Sequence, residues 1–157
     1  MRKLRIYLDT SVLNYYFADD NPEEQNATRK LFQEIKEDKH EAFISAAVID
    51  EVEAAEEPVR ERLKKLVLNY YLKILEPDPE VEQLARRYIE NKIIPEKYGK
   101  DASHIAYAAI FELDAIVSWN FKHIVKLKTR TMVNGVNKLE GYREIEICSP
   151  LEVIENE

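Results

Sequence analysis

The stretch that most constrains the fold is 4–17, LRIYLDTSVLNYYF, in which a short apolar strand leads directly into a polar turn and a helix. Residues 4–8 have the pattern of a buried strand, and residues 12–17 carry apolar side chains at helical spacing. The carboxylate of Asp9 and the hydroxyl of Ser11 therefore follow the carboxyl end of the first strand. Ligands of open α/β sheets bind at that edge. Either residue can equally cap the following helix, so this stretch alone leaves both functions open.

The alternation of strand and helix patterns continues along the chain. Four further apolar runs are typical of strands, at 42–45, 72–75, 115–118 and 145–147. Helix starts are marked at Asn21-Pro22, Ser45, Pro58, Asp78-Pro79 and Ser149-Pro150. This pattern predicts an α/β fold with a central, mostly parallel sheet of about four or five strands and helices on both faces. The segment between Thr129 and Tyr142 is the least regular, and we predict a loop there.

Composition limits the classes of function. A chain of 157 residues is long enough to bury its own core, so we expect a single domain over 1–157. The formal net charge of −7 gives no general attraction for nucleic acid, so a polyanionic ligand needs metal ions or a local basic patch. One cysteine excludes a disulfide within the chain and fits a reducing compartment. Because no apolar segment is long enough to span a membrane, we expect a cytoplasmic protein without a membrane partner.

Four polar residues are expected at the carboxyl edge of the sheet. Asp9 follows the first strand and Asn120 the fourth, so they are neighbours if these two strands are adjacent. Glu51 can reach the edge from the early turns of its helix, and Asp101 can do so if its helix begins there. Carboxylates brought close together either take up protons or bind a cation. An all-oxygen set favours Mg²⁺ or Mn²⁺ over Zn²⁺, and such ions promote the hydrolysis of phosphodiesters.

Each of these residues also has a purely structural interpretation. Asp101 can be a helix cap, Glu51 can belong to a solvated acidic run, and Asn120 can be a turn residue. His104 lies on the same helix face as Asp101, and a buried or helix-orienting histidine is a better interpretation of it than a metal ligand.

A basic segment follows the fourth strand. Between residues 119 and 143, six basic residues and one acidic residue give a local charge of +5. The basic residues are Lys122, Lys126, Lys128, Arg130, Lys138 and Arg143. Because the segment begins beside Asn120, Lys122 and His123 are candidates for contact with phosphate. A solvated basic face is the alternative.

Four motifs, taken in order, resemble those of the PIN-domain family. They are LDTSVL at 8–13, ISAAVIDEV at 44–52, DASHIAYA at 101–108 and IVSWNFKHI at 116–124, and the resemblance covers the chain from about residue 5 to 154. It implies a metal-dependent ribonuclease fold, with Asp9, Glu51 and Asp101 as the acidic metal-binding residues and Ser11 as the hydroxyl beside them. Many small members are toxins of the VapC type, which implies an RNA substrate, an antitoxin partner and a homodimer.

The chain departs from the family pattern at one position, because many members carry Asp where it has Asn120. The amide removes one negative charge and is a weaker metal ligand. We predict an Mg²⁺- or Mn²⁺-dependent endoribonuclease in which Asp9, Glu51 and Asp101 hold the metal and Asn120 assists. A catalytically silent module that binds RNA or a protein is the alternative that Asn120 favours. An aspartate-nucleophile phosphatase is a second alternative, although Ser11 stands where such enzymes carry another Asp.

Overall fold

A computed structural model describes residues 2–155, and its central feature is one five-stranded sheet. Residues 1, 156 and 157, at the ends of the domain expected from the sequence, lie outside the described residues. The strands are β1 (Leu4–Leu8), β2 (His40–Ser45), β3 (Lys73–Leu75), β4 (Ala115–Val117) and β5 (Glu146–Cys148). All four pairings are parallel, and the strand order is β3-β2-β1-β4-β5. The predicted α/β fold with a parallel sheet is confirmed.

Helices connect the strands and cover both faces of the sheet. They are α1 (Thr10–Tyr15), α2 (Pro22–Lys36), α3 (Ala46–Ala54), α4 (Val59–Asn69), α5 (Pro79–Glu90), α6 (Gly99–Ile110), α7 (Leu127–Leu139) and α8 (Pro150–Val153). Crossovers between parallel strands are right-handed. The path from β1 to β3 therefore places α1–α4 on one face, and the return path to β4 and β5 places α5–α7 on the other. In agreement, α1 packs against α2, α3 and α4, whereas α5 packs against α6 and α7.

The central strand β1 is buried on both faces. Ile6, Tyr7 and Leu8 have no exposed surface, because helices cover each side of the sheet. Successive side chains of a strand point to opposite faces, so Tyr7 stands on the face opposite to its two aliphatic neighbours. Its ring stacks on Tyr107 and lies beside His104, both of α6. A phenolic hydroxyl is thus placed in the core between β1 and α6.

Helix starts agree with the sequence pattern. Asp9, Ser45 and Asp78 each accept a hydrogen bond from a backbone N–H in the first turn of α1, α3 and α5. Such caps satisfy amide groups that have no partner within the helix. Helix α8 begins with a capping box between Ser149 and Glu152. Helices α2 and α4 begin after Asn21 and Pro58, as predicted.

The prediction of a loop between Thr129 and Tyr142 is wrong, because most of this segment lies in α7. Its asparagines, its β-branched residues and Gly135 have low helix propensity, which weakens the helical pattern in the sequence. Thr129, Val133 and Val136 nonetheless recur at helical spacing and are buried. Burial of one face of a helix supplies most of its stability in a folded protein and here outweighs propensity.

The strand order creates a switch point between β1 and β4. From β1 the chain leads to β2 on one side, and β4, on the other side of β1, is followed by β5 further out. The carboxyl ends of β1 and β4 therefore flank a crevice, the position at which open α/β sheets bind ligands. Helix α6 precedes β4 and also begins at this edge, after an irregular connection that contains a 3₁₀ turn at Glu96–Tyr98. Among residues 2–155, no helix has the length and apolar character needed to cross a lipid bilayer.

Candidate active site

Asp9 lies at the switch point and is almost fully buried, with 3% of its surface exposed. Its Oδ1 accepts hydrogen bonds from Ser11 Oγ at 2.5 Å and from the backbone N of Val12 at 3.3 Å. Its Oδ2 accepts one from Ser118 Oγ at 2.5 Å. Asp9 therefore caps α1 and also ties β1 to the end of β4. Burial raises the pKa of Asp9 above its ordinary value despite these hydrogen bonds, so the ionised carboxylate favours a nearby cation.

Two serine hydroxyls join the ends of β1 and β4. Ser11 Oγ accepts a hydrogen bond from the backbone N of Trp119 at 2.9 Å, and Ser118 Oγ accepts one from that of Asn120 at 2.9 Å. Each hydroxyl thus bridges Asp9 to the chain that follows β4. The hydroxyl of Ser11, expected from the sequence beside the carboxylates, does lie there. The sequence analysis missed Ser118, and its only signal was a polar residue between the last apolar residue of β4 and Asn120.

Asp101 and Asn120 form the second part of the site. Asp101 lies in the first turn of α6, which begins at Gly99, so its interpretation as the helix cap is wrong. Asn120 donates from Nδ2 to Asp101 Oδ2 at 3.2 Å and accepts at Oδ1 from the backbone N of His123 at 2.9 Å. Burial, and then the negative charge of Asp9, raise the pKa of Asp101. Asn120 thus serves here as a hydrogen-bond donor to a half-buried carboxylate.

Glu51 is half-buried on α3 and is held by two donors. Its Oε1 accepts hydrogen bonds from Thr10 Oγ1 at 3.0 Å and from His104 Nε2 at 2.6 Å. Burial alone would raise the pKa of Glu51, but these hydrogen bonds, above all that from His104, bring it below its ordinary value. Glu51 is therefore an ordered, ionised carboxylate next to the residue that follows Asp9, and not part of a solvated acidic run.

The donor set suits a hard divalent cation with few protein ligands. Among residues 2–155, no three side chains of His, Cys, Asp or Glu lie close enough together to hold a metal ion. Asp9 and Asp101 supply two carboxylates, which are linked through Ser118 and Asn120. Mg²⁺ is commonly bound by one or two carboxylates, with waters and substrate phosphates completing its coordination. The residues present fit Mg²⁺ or Mn²⁺ and lack the sulfur and nitrogen ligands that Zn²⁺ prefers.

The two residues predicted to contact phosphate differ in their surroundings. Lys122 is exposed, as are Lys126 and Lys128 near the start of the basic segment. The ring of His123 packs on Tyr98 with 4.0 Å between ring centroids. Burial lowers the pKa of His123, so the imidazole is largely neutral at pH 7. The positive surface beside Asn120 is therefore provided by lysines.

The family model of the PIN domain matches residues 6–120 of the chain. The chain belongs to the PIN-domain family. The match includes the four polar residues Asp9, Glu51, Asp101 and Asn120 and ends at the last of them. The basic segment and α7 of this PIN domain lie beyond the matched range.

Comparison with solved structures finds four matching chains. One of them comes from the crystal structure of VapBC2 from Rickettsia felis bound to a DNA fragment from their promoter. It shares 15% sequence identity with this PIN domain at a TM-score of 0.54, with 93% of this chain and 98% of that chain covered. At this identity the likeness shows the fold. A comparison with curated proteins finds no match.

Proposed function

We propose that this PIN domain is a metal-dependent endoribonuclease, the VapC-type toxin of a type II toxin–antitoxin pair. The observation that supports this most is the linked pair of Asp9 and Asp101 at the switch point of the sheet. These two carboxylates would hold Mg²⁺ or Mn²⁺, with Glu51 beside them and Asn120 assisting. When bound, such an ion supplies Lewis-acid chemistry, which neutralises charge on a phosphodiester and makes water a stronger nucleophile.

The residues around the carboxylates have separate tasks in this proposal. Ser11 and Ser118 fix both oxygens of Asp9, and the amide of Asn120 fixes Asp101. Lys122 belongs to the exposed basic surface next to the site, which would bind the RNA backbone even though the whole chain is acidic. RNA would thus be held by the lysines while its scissile phosphate reaches the carboxylates.

The proposed partners follow from the fold. The likeness to a chain of the VapBC2 structure supports an antitoxin as the protein that holds this nuclease inactive. With it we propose a homodimer and a location in the cytoplasm, as for a small toxin whose substrate is cellular RNA.

A catalytically silent PIN-like module that binds RNA or a protein is the second candidate. Asn120 favours it, because its amide nitrogen already engages Asp101 and its oxygen faces the backbone of His123. The phosphatase hypothesis has less support, because Ser11 stands where such enzymes carry a second Asp and its hydroxyl donates to Asp9.

The deciding experiment is cleavage of a panel of structured RNAs by the purified protein, with Mn²⁺, with Mg²⁺ and with a chelator. We expect cleavage that needs the metal and is lost in Asp101→Asn while the melting temperature changes little. Asp50→Asn, which neutralises an exposed carboxylate on α3, is the matched control and should cleave like the wild type. RNA binding without cleavage, both by the wild type and by Asn120→Asp, would instead support the silent module.

A further inference from the structure

A buried chain of hydrogen bonds joins the start of α3 to Glu51, which lies further along the same helix. Ser45 Oγ contacts the hydroxyl of Tyr7 at 2.7 Å, and that hydroxyl contacts His104 Nδ1 at 2.6 Å. His104 Nε2 then contacts Glu51 Oε1 at 2.6 Å. Ser45 and Tyr7 are fully buried and His104 is 2% exposed, so no member except Glu51 exchanges partners freely with water. We call Ser45, Tyr7 and His104 the relay.

The donor of each hydrogen bond in the relay can be assigned by starting at Ser45, the residue that caps α3. Ser45 Oγ accepts from the backbone N of Ala47 at 3.1 Å and of Val48 at 3.4 Å, which uses both of its lone pairs. The proton of Ser45 is therefore donated to Tyr7, which in turn donates its own proton to His104 Nδ1. Because Nδ1 of His104 accepts this proton, Nε2 is the atom that donates to Glu51.

This order of donors determines which oxygen of Glu51 is available. Oε1 accepts from His104 and from Thr10, whereas Oε2 accepts no hydrogen bond from the residues that the structure describes. A glutamate side chain has several rotatable bonds, and two donors on one oxygen restrict them. The relay and Thr10 thus fix one oxygen of Glu51 and leave the other without a donor among the described residues.

From this geometry we infer that Tyr7 and His104 are positioning residues, which fix the charge of Glu51 beside the cation that Asp9 and Asp101 would hold. The inference rests on the proposed function for the identity of the cation. Partners that orient a metal-binding group through a hydrogen bond commonly change metal affinity by 10- to 100-fold when they are removed. A polar network that only stabilised the core would leave cation affinity unchanged once the protein is folded.

The first test measures the tautomer of His104 and needs neither metal nor RNA. Two-bond ¹H–¹⁵N correlation spectra of the metal-free protein distinguish the two neutral tautomers and the doubly protonated ring. We expect a neutral His104 with its proton on Nε2 in the wild type, and loss of this single tautomer in Tyr7→Phe. Tyr107→Phe makes the same chemical change in the ring stacked on Tyr7 and should keep it. A wild-type ring protonated on Nδ1, alone or together with Nε2, would overturn the relay.

The second test measures binding of Mn²⁺ alone by titration calorimetry. We expect Tyr7→Phe and His104→Leu to weaken binding about tenfold or more. His104→Gln should recover much of the affinity, because its amide can still accept from Tyr7 and donate to Glu51. Tyr107→Phe should bind like the wild type. Wild-type affinity in folded Tyr7→Phe and His104→Leu would overturn the positioning role.

The two tests separate this inference from the proposed function. If the wild type binds Mn²⁺ but does not cleave RNA, the nuclease proposal fails while the affinities still decide the role of the relay. If the wild type binds no Mn²⁺, the positioning role is overturned together with the metal-dependent nuclease, even where the spectra show the expected tautomer.

Discussion

Removing the hydroxyl of Ser118 should destabilise the protein by an amount that the structure allows us to work out. In Ser118→Ala, Asp9 Oδ2 loses its one donor among the described residues, at 2.5 Å, and the backbone N of Asn120 loses its side-chain acceptor. A hydrogen bond to a charged group contributes about 2 kcal/mol, and one between neutral groups contributes about 1 kcal/mol. We therefore expect the free energy of unfolding to fall by about 3 kcal/mol. For a chain of this length, the melting temperature should fall by about 9 °C.

The loss of stability in Ser118→Ala should depend on pH, because one of the two lost hydrogen bonds is to the ionisable carboxylate of Asp9 and the other is from the neutral backbone amide of Asn120. The pKa of Asp9 is raised in the folded protein, so the ionisation of Asp9 lowers the free energy of unfolding as the pH rises from the ordinary carboxyl pKa through the raised one. Loss of the Ser118 hydroxyl raises the pKa of Asp9 further and increases this cost. The contribution of about 2 kcal/mol from Asp9 should therefore be present where Asp9 is ionised and shrink as the pH falls towards the ordinary carboxyl pKa. The contribution of the hydrogen bond from the backbone amide of Asn120 to Ser118 should stay the same over this pH range.

Urea denaturation followed by circular dichroism at several pH values measures both effects. Ser103→Ala is the matched control, because Ser103 is buried on α6 and its hydroxyl makes no side-chain hydrogen bond with the described residues. It should change the free energy of unfolding by less than about 0.5 kcal/mol. The reasoning is refuted if Ser118→Ala is as stable as this control. It is also refuted if the difference in free energy of unfolding between the wild type and Ser118→Ala does not decrease as the pH is lowered.

Three further substitutions or treatments test other parts of the structure. A hydrogen bond from Arg2 lowers the pKa of Asp114, so it stabilises the fold above the ordinary carboxyl pKa and this stability is lost as the pH falls through the lowered value. Wild type and Asp114→Asn should therefore converge in stability at acid pH in thermal melts. Burial raises the pKa of the Cys148 thiol to about 12, so iodoacetamide should label it in urea but not in the native protein, as read by mass spectrometry. Asn120→Asp places a carboxylate 3.2 Å from Asp101 in place of a donor, so it should lower the melting temperature without metal and raise Mn²⁺ affinity in calorimetry.

The fold was largely predictable because its determinants are local. Apolar runs of strand length, helical spacing and cap residues such as Asp78 all lie within a few residues of the element that they define. The shared edge of Asp9 and Asn120 followed from one topological rule about the ends of parallel strands, whereas the adjacency of β1 and β4 is known only from the structure. Helix α7 was missed because its stability comes from burial of Val133 and Val136, which propensity does not report.

The hydrogen-bond partners in the site were not predictable, because they are far apart in the sequence. Ser118 and Asp9 are 109 positions apart, and His104 and Glu51 are 53 apart. No spacing rule within one helix or strand brings such pairs together. Tyr7 in particular follows the pattern of an apolar strand residue, and its hydroxyl meets Ser45 and His104 through the packing of β2 and α6 against β1.

The three carboxylates of the site differ in how many hydrogen bonds from the protein stabilise their negative charge. Among residues 2–155, Asp9 accepts three hydrogen bonds and Glu51 accepts two, whereas Asp101 accepts one, from the amide of Asn120. Asp101 is also half-buried and affected by the charge of Asp9, which raises its pKa. Asp101 is therefore the carboxylate with the most to gain from a cation, although its place in the first turn of α6 offers it the positive end of the helix dipole. Among the described residues, Asn120 supplies the one hydrogen bond to Asp101, at Oδ2. A cation bound by this carboxylate in the proposed nuclease would share it with the Asn120 amide, which is why Asn120→Asp tests how far the amide limits cation binding.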